Sequence, residues 1–446
     1  MSIIHHIAHI KNVLQTACEI AKKAQVDAFE IHCSFDQGHV IDIRKQQTEN
    51  LEFNASQSLS IQVYHQGKTG YAETSDLSHN GLHTTIEHAK TIAKFTEADP
   101  FSGIIDKDKL CTPKALAYLY RPWKHFRIEE VIDMAKTCEQ HALDYSKEIC
   151  SDGVEISCFE ILYGFANSHG FLDVYPESRN SISIELIVED KHGMQRDDAY
   201  FTHYDIQSLP TPKAIAQLAI DRTLSRRDPQ SIQSQSMPVI FSPTTAKTLI
   251  NGFLTALKGG KQYHKNTYLY NKLHQMVTKE NISLIEDPNL KDGMGSQPYD
   301  DEGVNKARNP IVIDGMLQRY LLNSYSARQL QSETTGNAGG VSNIVIQSRN
   351  MMPEAQLIQT MDHGVIIHET MGQGLDITTG DYSQGAMGYY VKNGQIQYPV
   401  DNFTVSGNLA DMFKNIQAIS NDNIDKNTRI QTGSLLIDNC HIAGSQ

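Results

Sequence analysis

The sequence predicts an α+β fold: an N-terminal helix plus antiparallel-sheet units, set out as a duplication would set them, followed by a β-rich C-terminal domain. Three observations predict it. A helix–meander–helix order occurs twice within the first 230 residues. Neighbouring strand candidates are joined by short turns, which favours antiparallel pairing over a doubly wound sheet. Beyond residue 237 helices become sparse and Asx-Gly hairpin signals take over.

The first unit opens with Val13, Leu14, Ala17, Cys18, Ile20, Ala21 and Ala24 at helical spacing. Strand candidates follow at 28–34, 39–44, 51–54 and 58–65. Gln66-Gly67 turns the chain, Gly70-Tyr71 resumes an extended run, and a helix near 82–95 carries Ile86, Ala89, Ile92 and Ala93. The order returns with a helix near 128–147, strands at 154–162, 171–174 and 181–189, and a helix near 212–224. Ser58-Leu59-Ser60-Ile61 and Ser181-Ile182-Ser183-Ile184 occupy matching places. Either a true duplication or recurrence of a common pattern gives this order. Residues 97–125 and 226–237 read as connectors, so domains are expected at 1–120, 121–235 and 236–446. In the last, a short strand at 237–241 leads into Ser242-Pro243 as N-cap and first helical residue. Leu249, Ile250, Phe253, Leu254 and Leu257 form the buried stripe of that helix, and Gly259-Gly260 is expected to stop it. Hairpins are expected at Asp314-Gly315 and Asn393-Gly394, and a helix over 409–419.

Composition narrows the function. Hydrophobic residues are 39% and charged residues 20%, an ordinary globular mixture. No window approaches the apolar length of a membrane span, and the N-terminus lacks the basic, then apolar, pattern of a secretory signal. Thirty-nine Lys+Arg against 52 Asp+Glu give −13, which disfavours nucleic acid and anionic membranes as partners. The densest basic stretch, Lys258-Gly259-Gly260-Lys261 with His264 and Lys265, reads as a solvated loop. Seven cysteines without a C-x-x-C pair read as reduced thiols in a cytoplasmic protein.

His368-Glu369 invites a zinc hypothesis, but the histidine expected on the next helical turn is absent: positions 372 and 373 are Gly and Gln. Val365-Ile366-Ile367 places the pair at a strand end instead. His5, His6 and His9 read as a terminal turn. The stretch from Gly380 to Gly385 is not a nucleophile elbow, because Asp381 precedes Ser383 by two. No phosphate-cradling glycine motif occurs. Glycine clusters at 334–340 and 372–374 read first as tight turns and second as a strand edge for an extended peptide.

Tyr320-Leu-Leu-Asn-Ser-Tyr-Ser-Ala-Arg328 and Gly336-Asn-Ala-Gly-Gly-Val-Ser-Asn343 resemble the TldD/PmbA family. So do Met371-Gly-Gln-Gly374, Thr379-Gly-Asp-Tyr-Ser383, Asn393-Gly-Gln-Ile-Gln-Tyr-Pro-Val400 and the run from Ser406 to Ile416. The likeness is to the PmbA branch, also called TldE. Its strong motifs cover about 300–446, and the length and layout agree throughout.

The resemblance implies a subunit of a cytoplasmic zinc metallopeptidase acting on small or unfolded peptides, in a heterodimer with a TldD-like partner. In that family zinc belongs to the TldD subunit, held by H-E-x-x-x-H and a later cysteine. Here Asn251 stands at the first histidine, Gly252 at the glutamate, Ala256 at the second histidine, and about Thr432 at the cysteine. Neutral amide and hydroxyl oxygens, glycine and alanine are a poor donor set for zinc. No catalytic residue, metal ligand or cofactor is therefore expected in this chain. Asn337, Gly339, Gly340, Gln373, Gly374 and Tyr382 are the candidate substrate-binding residues. A homodimer is expected when the partner is missing. Two alternatives stay open: an independent metal-dependent hydrolase using His368 and Glu369, and a non-enzymatic, protein-binding regulator of the gyrase-modulator type.

Overall fold

The computed structural model describes residues 2–121 and 127–444; the 122–126 part of the expected connector lies outside them. The first helix–strand unit is α1 (Ile7–Lys23), β1 (Ala28–Arg44), β2 (Gln47–His65), β3 (Lys68–Thr74) and α2 (His79–Phe95). The second repeats it as α3 (Ile128–Tyr145), β4 (Ile149–Asn167), β5 (Leu172–Asp190), β6 (Gly193–His203) and α4 (Pro212–Ser225). The two meanders abut through β1 and β4 to make one antiparallel sheet, in the order β3-β2-β1-β4-β5-β6. The matched Ser-rich runs hold equivalent places on the middle strands. Ser58 bonds Ser34 across β1 and β2 at 3.0 Å, and Ser181 bonds Ser157 across β4 and β5 at 2.6 Å. All four helices cover the face that carries Ile31, Cys33, Ile41 and Ile43 of β1, because successive side chains alternate across a strand.

The strands are longer than the sequence suggests. The runs 28–34 and 39–44 are one strand, as are 51–54 and 58–65, and 171–174 and 181–189. Asp36-Gln37-Gly38 looks like a turn, yet it is extended and paired on both sides. A side chain at Gly38 would strike the Cys158 carbonyl of β4, so the glycine permits close strand approach. The turn between β1 and β2 falls instead at Lys45-Gln46, both at positive φ. Buried Glu139 of α3 accepts their backbone N–H groups at 2.9 and 2.7 Å.

The C-terminal part runs β7 (Gln235–Phe241), α5 (Pro243–Ala256), α6 (Gly259–Tyr263), β8 (Ile282–Asp287), β9 (Asn309–Ile313), β10 (Met316–Leu317), α7 (Ser324–Gln329) and β11 (Asn343–Ser348). It continues with β12 (Met351–Met352), α8 (Glu354–Met361), β13 (Gly364–Met371), β14 (Asp381–Lys392), β15 (Gln395–Asn408), α9 (Leu409–Lys414), β16 (Ile416–Ser420), β17 (Ile430–Gln431) and β18 (Leu435–Ala443). One sheet has the order β10-β9-β8-β11-β17 and the other β12-β16-β18-β15-β14-β13-β7. β18 also pairs with β7, closing β7, β13, β14, β15 and β18 into a ring. Both Asx-Gly pairs turn hairpins, with φ of 44° and 84° at Asp314-Gly315 and 55° and 67° at Asn393-Gly394.

The helix expected over 409–419 ends at Lys414. Ile416 and Ile419 are buried as strand residues against Ile437 and Leu435, a short apolar run that periodicity cannot assign. Gly259 does not end α5, which stops at Ala256; it lets the chain pass against Ser326 of α7, where any side chain would collide. Tyr299, in the long connection before β9, inserts among Phe171 and Tyr175 at 5.1 and 5.7 Å between ring centres and joins the C-terminal part to the N-terminal sheet. Among the described residues all seven cysteines are free. No helix among them is long and apolar enough to cross a membrane.

Candidate functional site

Helix α5 begins, as its sequence predicts, with Ser242 as N-cap and Pro243 in the first turn, and buries Leu249, Ile250, Phe253 and Leu254. The four positions that the resemblance sets against the family's metal ligands meet different surroundings. Asn251 is exposed and opens into a cavity of about 620 Å3. Gly252 lies under the Leu375 side chain, whose tip would be 2.5 Å from any Cβ there. Ala256 is sealed in the core, and its carbonyl accepts from Gln262 and Thr267 at 2.9 and 2.8 Å. Thr432 is 1% exposed, beside β17. Among the described residues no group of three or more His, Cys, Asp or Glu is placed to hold a metal ion.

The Gly-rich segment 334–343 lines the same cavity through Asn337, Gly339 and Gly340. A buried carboxylate shapes it. Glu286 of β8 accepts from the Asn337 amide at 3.1 Å, from the Ser342 N–H at 2.8 Å and hydroxyl at 3.0 Å, and from Arg319 at 2.7 Å. Lys306 donates to the Gly340 carbonyl at 3.0 Å. Gly336, Gly339 and Gly340 all have positive φ, so the turn needs glycine there. Gln373, Gly374 and Tyr382 do not line this cavity. Gln373 is exposed on the loop after β13. Gly374 touches the Ser383 carbonyl so closely that a side chain would clash, and its own carbonyl accepts from the Ser383 N–H at 2.6 Å. Tyr382 is 3% exposed, edge-on to Phe241, with its hydroxyl donating to Gln384 at 2.9 Å. That loop reaches α5 through Leu375 on Gly252, so the structure groups Asn251 with Asn337, Gly339 and Gly340 and leaves the other three apart.

A loop running through Asp300, Asp301 and Glu302 backs the glycine segment. Asp300 accepts from the N–H groups of Glu302, Val304 and Ala338 at 3.0, 2.8 and 3.1 Å. Burial outweighs those donors and pushes its carboxyl up to about 7; burial likewise raises Glu30 to about 7. A raised folded-state pKa stabilises the fold fully below the ordinary carboxylate range and stops doing so as pH rises through the folded value. The urea midpoint is therefore expected to fall between about pH 4 and about pH 7 and to level off above that, and Asp300→Asn to flatten the fall. Equal slopes for wild type and variant would contradict it.

His368 and Glu369 lie elsewhere, at the end of β13, in a cavity of about 920 Å3 between β6, α4 and the C-terminal part. Arg226, read from the sequence as connector, is the hub. It binds Asp197 at 2.6 Å and Glu369 at 2.8 Å, and His368 approaches Asp197 at 3.4 Å. Burial raises the Asp197 pKa, but the His368 hydrogen bond and the Arg226 charge prevail and hold it below the usual range. Nothing local in the sequence signals this cluster, since its members come from β6, the end of α4 and β13. Glu286, Arg319 and Lys306 escape sequence reading for the same reason.

Residues 34–93 match domain 1 of the PmbA/TldA metallopeptidases, 121–227 the central domain and 234–444 the C-terminal domain. The chain is 37% identical to "Metalloprotease PmbA" of Escherichia coli O157:H7 over 100% of its own length and 99% of the relative's. Its fold matches a Bacteroides thetaiotaomicron crystal structure that carries a gyrase-modulator name, with TM-score 0.92, 23% identity and coverage of 98% and 99% of the two chains. It also matches TldE of Thermococcus kodakarensis, with TM-score 0.83, 17% identity and coverage of 98% and 100%. At those identities the structures speak for the fold alone; the full-length sequence match and the three matched domains carry the assignment, and the chain belongs to the PmbA/TldA metallopeptidase family.

Proposed function

We propose that this chain is the PmbA/TldE-type, non-catalytic subunit of a cytoplasmic zinc peptidase, and that it completes a chamber for small or unfolded peptides with a TldD-like partner that brings the zinc. The observation that carries this reading is the surroundings of α5. Of the four positions aligned with the family's metal set, two are sealed, one has no side chain, and only the Asn251 amide reaches open space. A neutral amide oxygen is a weak ligand for a borderline-soft cation that prefers imidazole and thiolate. Asn337, Gly339 and Gly340 would meet an extended peptide from the cavity wall, with exposed Gln373 and the Gly374 turn contributing from the neighbouring loop. Tyr382 would act only by holding the strand beneath that loop. Unfolded substrates would be selected because a single extended chain is far narrower than a folded domain.

The test is zinc content and peptide cleavage, measured on the isolated chain, on a TldD-like chain and on their mixture. The expected result is less than one zinc per ten isolated chains, no cleavage alone, and cleavage by the mixture. Stoichiometric zinc with cleavage by the isolated chain would sink the proposal. A solitary hydrolase built on His368 and Glu369 is disfavoured, because the Arg226 guanidinium holds the Glu369 carboxylate and a cation there would face that fixed positive charge. The isolated chain is expected to self-associate, as sedimentation would register.

A further inference from the structure

The basic stretch that reads as solvated loop in the sequence is, in the fold, part of the wall of the 620 Å3 cavity. Lys258 and Lys261 line it, and Arg429, next to β17, joins them. No Asp or Glu lines it, although the chain has 52 acidic residues against 39 basic ones. Among the described residues none of these three cations lies within ion-pair distance of a carboxylate, although the Arg429 charge is felt by buried Glu177. The cavity lies within the size range of about 300–1,000 Å3 usual for small-ligand sites.

Its polar groups are of both kinds. Asn266 lines it, and the Asn266 Oδ1 is buried and without a hydrogen-bond partner. The backbone N–H groups of Gly339 and Val341 find no acceptor among the described residues. Gly340, at φ of 108°, has open space where a side chain would stand, so a ligand backbone can approach it. Leu254, Leu321 and Val341 supply apolar wall. The Asn337 side chain is already engaged with Glu286 and Thr335, so it shapes the turn and leaves the backbone beside it free.

We infer that this cavity seats the C-terminal carboxylate of a short extended peptide, with Lys258, Lys261 and Arg429 facing the carboxylate and the unpaired backbone donors and Asn266 acceptor facing the adjacent peptide unit. An inorganic oxyanion would use the cations and donors but leave the Asn266 oxygen unmatched. A peptide end has a carboxylate, carbonyls and N–H groups together, and side chains for the apolar wall. This rests on the subunit reading, and it gives the position vacated by the family's metal ligands a task of its own: holding one end of the peptide.

The probe is a short N-terminally dye-labelled Ala/Gly peptide, as free acid and as C-terminal amide, titrated by fluorescence anisotropy into the full isolated chain. Because charge-assisted hydrogen bonds are roughly twice as strong as neutral ones, amidation is expected to weaken binding by about tenfold. Lys258→Glu with Lys261→Glu is expected to abolish the acid–amide difference. Arg429→Ala, at an exposed side chain, is expected to reduce it, and unchanged circular dichroism verifies each fold. Inorganic phosphate is expected to displace the acid more readily than the amide. Equal binding of acid and amide, or a ratio untouched by the charge reversal, overturns the assignment, as does phosphate binding without peptide binding. These readouts are separate from the mixing experiment. If the mixed complex cleaves while amidation has no effect, only the carboxylate seat falls; if the lone chain holds zinc and cleaves, the subunit reading falls whatever the peptide termini do.

Discussion

Glu286→Ala is expected to destabilise the C-terminal part by about 3–5 kcal/mol, the cost of removing one member of a buried ion pair. Glu286 and Arg319 are 4% and 16% exposed at their side chains, and the same carboxylate also accepts from Asn337 and Ser342. Deleting it leaves a buried guanidinium, an amide and a backbone N–H without their acceptor, and each orphaned group costs its own desolvation. Glu286→Gln keeps one accepting oxygen and is expected to lose less. Replacing both partners, Glu286→Leu with Arg319→Met, is expected to recover most of the loss, because no uncompensated charge remains. Urea denaturation followed by fluorescence, with hydrogen exchange across 334–343, measures both. A Glu286→Ala variant as stable as wild type would show that the segment is held by something else.

Arg226→Ala is expected to loosen the N-terminal sheet from the C-terminal part at a cost of about 3 kcal/mol. Asp197 is 4% exposed and would lose its ion pair in the interior, whereas Glu369 is 43% exposed and water would replace much of what it loses. The sign of the pH dependence follows from Asp197. Its carboxyl is held below the ordinary range, so its contribution is present above about pH 4 and disappears as pH falls through the depressed value. Wild type should therefore show an acid-induced loosening of this joint that Arg226→Ala lacks, because the variant has already lost much of the interaction being titrated. Limited proteolysis at the 226–237 connector, compared at neutral and acid pH, reads the difference. Identical cleavage rates for the two proteins at neutral pH would count against the hub role.

How much of this was legible beforehand depended on whether the signal was local. Helices announced themselves because α1, α2, α3 and α5 carry unbroken apolar stripes, and the Asx-Gly turns because positive φ favours those residues. The Lys45-Gln46 turn did not, since nothing in its own residues marks it and its acceptor, Glu139, comes from a helix in the other unit. Gly38 misled for a related reason: it reads as a break but exists for the approach of a strand in the second unit. At the site, the glycines of 336–340 stood out from composition. Lys258 and Lys261 looked like any exposed pair until folding placed Arg429 and the glycine turn around the same space. Asp197, Arg226, Glu286 and Arg319 were invisible because an ion pair leaves no trace in sequence spacing when its members lie far apart along the chain.

The ring of five strands sets an order of events at the ribosome. Synthesis delivers β7 early, yet its partner β18 emerges only after every other strand of the ring, with Phe241 waiting for Leu435. Until then β7 offers an open edge of apolar backbone to its surroundings, the kind of surface that aggregates or recruits a chaperone. A nascent chain halted before residue 435 should remain protease-sensitive through the whole C-terminal part, while the six-stranded sheet, whose strands are all made before β7, is already closed to attack.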